Sequence, residues 1–179
     1  RGLAHSDAPE HRRLRGLLAQ AFTPRMIERM RGRIRELAET IIDQLPPEID
    51  LINDLFTPLP ALVVGELLGS AREDIPNLIR WAHAINGLYE KGGRISPDKA
   101  LHAEAMLTEM RNFVGQLITE RQSLKLVGKL TGDEDVLAAL VMQEADALSN
   151  DEMLSTVVSL FVAGHETTTH LLGNGFFAI

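Results

Sequence analysis

The stretch over 150–179 constrains this chain more than any other part of it. Leu154, Val157, Val158, Leu160, Phe161, Val162, Leu171 and Leu172 fall on nearly every side of a helix, and a helix that is apolar all round belongs inside a large protein. Ser149-Asn150-Asp151-Glu152 supplies a capping box at its start. At 1.5 Å per residue such a helix would be about 45 Å long, longer than ordinary globular helices. Its most apolar part, 153–164, is short of the ~20 residues a membrane-spanning helix needs, and His165 and Glu166 follow directly. The pattern runs to Phe177-Ala178-Ile179 without a stop signal, and Arg1 is no initiator methionine, so the chain reads as a piece of something larger.

The rest of the sequence reads as successive helices with clear punctuation and no convincing strand, which predicts an all-α fold in one partial domain over 1–179. Asp7-Ala8-Pro9-Glu10 has the form of a capping box and predicts a helix to about Gln20. Thr23-Pro24 opens a second, with Met26, Ile27, Met30, Ile34, Leu37, Ala38, Ile41, Ile42 and Leu45 at helical spacing, ended by Pro46-Pro47. A helix is expected over 60–68, closed by Gly69. Ser70-Ala71-Arg72-Glu73 predicts another box and a helix through Trp81 to about Asn86. The glycine-rich 87–94 reads as a loop. Ser96-Pro97-Asp98 caps a long helix with Leu107, Met110, Phe113, Val114, Leu117 and Ile118 as its buried stripe, and a short helix is expected over 134–146.

Composition narrows the function classes. The net charge of −7 gives no general attraction to nucleic acid or anionic lipid, although Arg12, Arg13, Arg15, Arg25, Arg29, Arg31, Arg33 and Arg35 cluster near the start. The absence of cysteine rules out disulfides, thiolate metal sites and cysteine nucleophiles within this chain. No signal peptide is visible.

The centre of the last helix, Ala163-Gly164-His165-Glu166-Thr167-Thr168-Thr169-His170, breaks several local rules together. Glycine and β-branched threonines weaken a helix and a buried carboxylate is costly, so a functional site is suggested. A zinc-protease reading of His165, Glu166 and His170 requires the two histidines four residues apart. They are five apart, about 140° out of line around the helix. The plainer alternative is a helix with back-bonded threonines and an exposed Glu166.

Ala163-Gly164-His165-Glu166-Thr167-Thr168 also resembles the oxygen-activating motif of cytochromes P450, Ala/Gly-Gly-x-Asp/Glu-Thr-Thr, at every position. Near the start, Asp7-Ala8-Pro9-Glu10-His11-Arg12-Arg13-Leu14-Arg15 resembles the family's Asp-Pro-Pro-Glu-His-x-x-x-Arg segment, with Ala8 in place of the first proline, and Gln20-Ala21-Phe22-Thr23-Pro24 matches what usually follows. His11 and Arg15 are four apart and share a helix face. The chain is thus similar to the bacterial type of this family, from its third named helix to its central one.

The resemblance implies a haem-thiolate monooxygenase that inserts one oxygen atom of dioxygen into a small apolar substrate. The cofactor would be heme b, its iron ligated by a cysteine beyond Ile179. Electrons would come from NAD(P)H through a ferredoxin or flavodoxin-type partner. His11 and Arg15 would hold a haem propionate and face a cavity that the last helix borders; Ala163 and Gly164 would let that helix approach the haem. Thr167 and Glu166 would handle protons, with disturbed backbone bonding near Ala163 to Thr167. Ser159 and Val162 would line the substrate pocket, Arg12 and Arg13 would dock the redox partner, and the 87–94 loop would cover the substrate entrance. The expected location is the cytoplasm. Two family signatures, Glu-x-x-Arg and the cysteine loop, are absent, so activity is expected of a longer parent and not of this chain alone. The competing reading from another class is an all-helical regulator or scaffold whose arginine-rich N-terminal helices bind nucleic acid.

Overall fold

The computed structural model describes residues 3, 6–88, 95–143 and 147–178. Among them are seven α-helices and no strand, in agreement with the all-α reading. In chain order they are α1 (Glu10–Ala21), α2 (Pro24–Ile42), α3 (Pro58–Leu67), α4 (Ile75–Asn86), α5 (Pro97–Leu126), α6 (Val136–Met142) and α7 (Asn150–Phe177). A turn of π-helix, Leu51–Phe56, precedes α3, and a 3₁₀ turn, Arg72–Asp74, precedes α4.

Three starts follow from capping residues that the sequence marks. The Thr23 hydroxyl accepts from Met26 N at 3.1 Å, and that of Ser96 accepts from Lys99 N at 3.2 Å. At Ser149 the box is reciprocal: its hydroxyl accepts from Glu152 N at 3.3 Å, while Glu152 accepts from Ser149 N at 2.8 Å. Each satisfies amide donors that the first turn of a helix leaves without partners. Two expected boxes do not form. No side chain caps α1, where the Asp7 main-chain carbonyl accepts from His11 N at 2.9 Å. The Ser70 hydroxyl donates backwards to the Gly65 carbonyl at 2.9 Å, so it closes α3 instead of opening α4. The π turn was not foreseen either. Asp50 fixes it by accepting from Ile52 N and Asn53 N at 3.0 and 3.2 Å, a local bond that helical periodicity does not register.

α7 runs through the middle of the assembly, in contact with α3, α4, α5 and the π turn. Met153, Val157, Phe161, His165 and Thr169 recur every fourth residue along its buried side. α5 presents Met106, Met110, Val114 and Ile118 to the core, with Leu107, Phe113 and Leu117 flanking, much as the periodicity predicts. α6 is buried at Val136, Leu137, Ala138, Leu140 and Val141 and packs on α1 and α5. Its described helix is shorter than the 134–146 expected, and 144–146 lie outside the described residues. α2 buries only Met26 and Leu37 of its apolar series; Ile27, Ile34 and Ile42 are exposed, and its main neighbours among the described elements are α3 and the π turn. Gly87 N closes α4 on the His83 carbonyl at 2.9 Å. The rest of the expected entrance loop, 89–94, lies outside the described residues.

A polar staple ties three elements together. Asp135 caps α6, its Oδ1 accepting from Ala138 N at 2.6 Å, while Oδ2 accepts from Arg121 Nη2 of α5 at 2.8 Å. The same Nη2 donates to the carbonyl of Gly69, just past α3, at 2.9 Å. Gly69 has φ +73°, and a Cβ there would overlap the Arg121 and Asp135 side chains, so only glycine suits both the backbone and the space.

Candidate active site on the long helix

Ser159, Val162, Ala163, Glu166 and Thr167 stand at i, i+3, i+4, i+7 and i+8 of α7 and therefore share one face. Ala163 and Thr167 are exposed on it, and Ser159, Val162 and Glu166 are half-buried. The opposite face carries His165 and Thr169, both buried. The helix thus offers an open strip, narrow at Ala163 and bearing a hydroxyl one turn later, opposite a side that is packed at Phe161, His165 and Thr169.

α7 is unbroken α-helix from Asn150 to Phe177, which corrects the expectation of disturbed backbone bonding near Ala163 to Thr167. The Thr167 hydroxyl donates to the Ala163 carbonyl at 2.6 Å, Thr168 to Gly164 at 2.8 Å and Thr169 to His165 at 3.1 Å. A carbonyl oxygen has two lone pairs, so each hydroxyl adds a second bond to its carbonyl without displacing the helical N–H. The back-bonded threonines of the plainer alternative are therefore present. Ser159 does the same, donating to the Ser155 carbonyl at 2.7 Å. Gly164 allows close helix packing: a Cβ there would lie 3.1 Å from Val64 Cγ2 of α3.

His165 is fully buried. Its Nε2 lies 3.3 Å from the Thr57 carbonyl, where it acts as donor, and its ring stacks between Phe161 and His83 with centroids 5.9 and 5.5 Å away. Nδ1 is buried without a partner. Burial first, then the neighbouring His83, push its pKa down to about 4, and His170 acts in the same direction. His165 is therefore neutral near pH 7. His170 is exposed while His165 is buried, as the five-residue spacing requires. Glu166 turns towards α4, where its Oε1 lies 3.9 Å from His83 Nε2. Sequence reasoning missed both His83 and Thr57. Neither carries a local signal, because both reach α7 only through packing.

Near the N-terminal end of α7, α1 packs on α6, and Arg13 tethers it to the start of α7. The Arg13 guanidinium bonds Glu10, Glu152 and the Ala147 carbonyl. His11 is half-exposed and Arg15 exposed, and neither side chain makes a hydrogen bond or ion pair with a described residue. Arg12 is exposed as well.

No family model matches the chain. It is 36% identical over 177 residues to the polyketide biosynthesis cytochrome P450 PksS of Bacillus subtilis, covering 97% of this chain and 40% of that protein. It is 33% identical to the cytochrome P450 monooxygenase PikC of Streptomyces venezuelae, over 99% of this chain and 40% of the relative. Among solved structures, the LnmA cytochrome P450 hydroxylase from the leinamycin biosynthetic pathway of Streptomyces atroolivaceus superposes with a TM-score of 0.81 at 30% identity, over 98% of this chain and 43% of that one. The chain spans about two-fifths of the length of the curated relatives it matches. Sequence likeness along nearly all of the chain and the same course of helices in space agree, and the chain belongs to the cytochrome P450 family.

Proposed function

We propose that this chain supplies one wall of a haem-thiolate monooxygenase site, with the Ala163–Thr167 face of α7 lying over the haem. The observation that carries the reading is that open face: Ala163 and Thr167 exposed on a helix whose other side is packed. A flat apolar group fits against a small side chain there, whereas the iron ligand must come from elsewhere because the chain has no cysteine. When bound, haem would supply the iron at which dioxygen is activated for insertion of one oxygen atom into an apolar substrate.

This chain's own residues would hold and orient. His11 and Arg15, one turn apart on α1, have uncommitted donors suited to a propionate. The Thr167 hydroxyl, now donating to the Ala163 carbonyl, can turn to hold a proton at the open face. Glu166, half-buried beside it, can relay protons from solvent. Ser159 and Val162 extend the same face and would meet the substrate. For the electron donor, a ferredoxin or flavodoxin-type partner fed by NAD(P)H, Arg12 is an exposed docking cation whose side chain has no partner among the described residues. Arg13 is already bound to Glu10 and Glu152 and would contribute less. The reading places the enzyme in the cytoplasm; among the described residues no helix is long and apolar enough to cross a membrane. Nucleic-acid binding is not favoured: besides Arg13, Arg29 donates to the Asp133 carbonyl and Arg33 pairs with Glu66 and Glu36, which removes much of the basic surface.

The test is Thr167→Ala in the full-length enzyme. Haem content and substrate binding should persist while product per NAD(P)H consumed falls several-fold and hydrogen peroxide rises. Unchanged coupling would place the active hydroxyl elsewhere, and loss of haem would make Thr167 structural.

A further inference from the structure

Leu78 of α4, Met110 and Val114 of α5, and Val157 and Phe161 of α7 are all buried, yet they do not close completely on one another. Just past the end of α3 they leave a cavity in which the centre of a water-sized molecule can range over about 10 Å³. That is the room one small molecule needs. A sphere of that volume is wider than a covalent bond is long, so a diatomic molecule fits as well as a single atom. Phe161 also stacks on His165, so the cavity lies on the packed side of α7, across the helix from the Ala163–Thr167 strip. It is a separate space from the open face.

The chemistry of the walls limits what can enter. The cavity surface is apolar, and Ser70 is the one polar residue among those described that lines it. The Ser70 hydroxyl is committed to the Gly65 carbonyl at 2.9 Å. A buried water needs about two to four polar partners, and these walls offer none. Left empty, the lining atoms lose the dispersion contacts that a filled core would give them, and an apolar occupant restores those contacts. The way in from solvent passes Ser70, Phe113 and Leu117, which are only half-buried. Phe113 is held there by the Trp81 ring, with centroids 5.6 Å apart.

We propose that this cavity is a binding site for one small apolar molecule, and that in the full-length enzyme the molecule is dioxygen. The cavity stands on its own geometry, whereas dioxygen as its natural occupant rests on the monooxygenase reading above. Dioxygen has no hydrogen bonds to lose on leaving water, and the proposed reaction consumes it.

The experiment uses the full-length, haem-loaded enzyme in its ferric state, with xenon as the first probe. Crystals held under xenon pressure should show an atom-sized peak between Val114 and Val157. An ordered water at that place, or no peak, would overturn the site. Val114→Ile and Val157→Ile each add one methyl group, from different helices, and should abolish the peak without lowering the melting temperature. If both variants melt lower, the methyl groups have met a filled core and the cavity does not exist. The second probe is dissolved dioxygen, whose unpaired electrons relax nearby nuclei. The methyl resonances of Val114 and Val157 should relax several-fold faster on its addition than those of Val136 and Leu137, buried on α6. Equal relaxation at the two sets would overturn dioxygen as the occupant. Dioxygen bound there in an enzyme that inserts no oxygen into any substrate would instead overturn the monooxygenase reading, and dioxygen as the natural occupant with it.

Discussion

Asp135→Ala should be among the most destabilising single substitutions outside the apolar core. The Asp135 and Arg121 side chains are only 6% and 13% exposed, and the aspartate does two separate things. Oδ1 caps α6, and loss of such a cap costs about 1 kcal/mol. Oδ2 neutralises a guanidinium that has little access to water, and breaking a buried pair by removing one partner costs about 3–5 kcal/mol. The remaining Arg121 bonds, to the Gly69 carbonyl and to Glu120, moderate this, so about 4 kcal/mol, the low end of that sum, is expected in total. Asp135→Asn keeps an acceptor for Ala138 N and loses the charge, and should cost about half as much. With a urea slope of about 2 kcal/mol per molar, the unfolding midpoint should fall by ~2 M for the alanine and ~1 M for the asparagine. Adding Arg121→Met to Asp135→Ala should recover about 2 kcal/mol, since no cation that has lost its buried partner is then left inside. Urea titration followed by circular dichroism reads all three. A shift under about 0.5 M for Asp135→Ala, or no recovery in the double variant, would refute the staple as a tertiary support.

Gly69→Ala forces a side chain onto a backbone at φ +73° and into the Arg121–Asp135 pair, and should cost at least about 2 kcal/mol, read as a lowered melting temperature. Ser149→Ala removes the hydroxyl half of the α7 capping box and should cost about 1 kcal/mol, checked by the same melt. His165 binds its proton only near pH 4 when folded but near 6.5 when unfolded, so the unfolded state takes up more protons between those values. Its contribution is therefore complete above about pH 6.5 and is lost as pH falls towards 4, by up to roughly 3 kcal/mol. His165→Leu should flatten that part of the stability–pH curve, and an unchanged slope would assign the acid sensitivity to other groups.

Local chemistry in the sequence determined the order of the helices and three of their starts. Thr23, Ser96 and Ser149 each bond the amide three residues on, a relation complete within one turn and readable without a fold. The buried stripe of α5 and the resemblance at Ala163 to Thr168 were legible for the same reason: both are patterns of near neighbours on one helix. Where a polar residue had more than one possible partner, the sequence alone did not choose between them. Ser70 closes α3 rather than opening α4, and Arg13 serves the Glu152 cap from another helix. Periodicity also overstated the burial of α2, since it reports that a face is apolar and not whether anything covers it. Only the tertiary structure joined His83 and Thr57 to the motif at 165–166, or Gly69 to Arg121 and Asp135. Those residues lie tens of positions apart, and the angles and distances at which packed helices meet, which no local pattern encodes, decide which of their side chains touch.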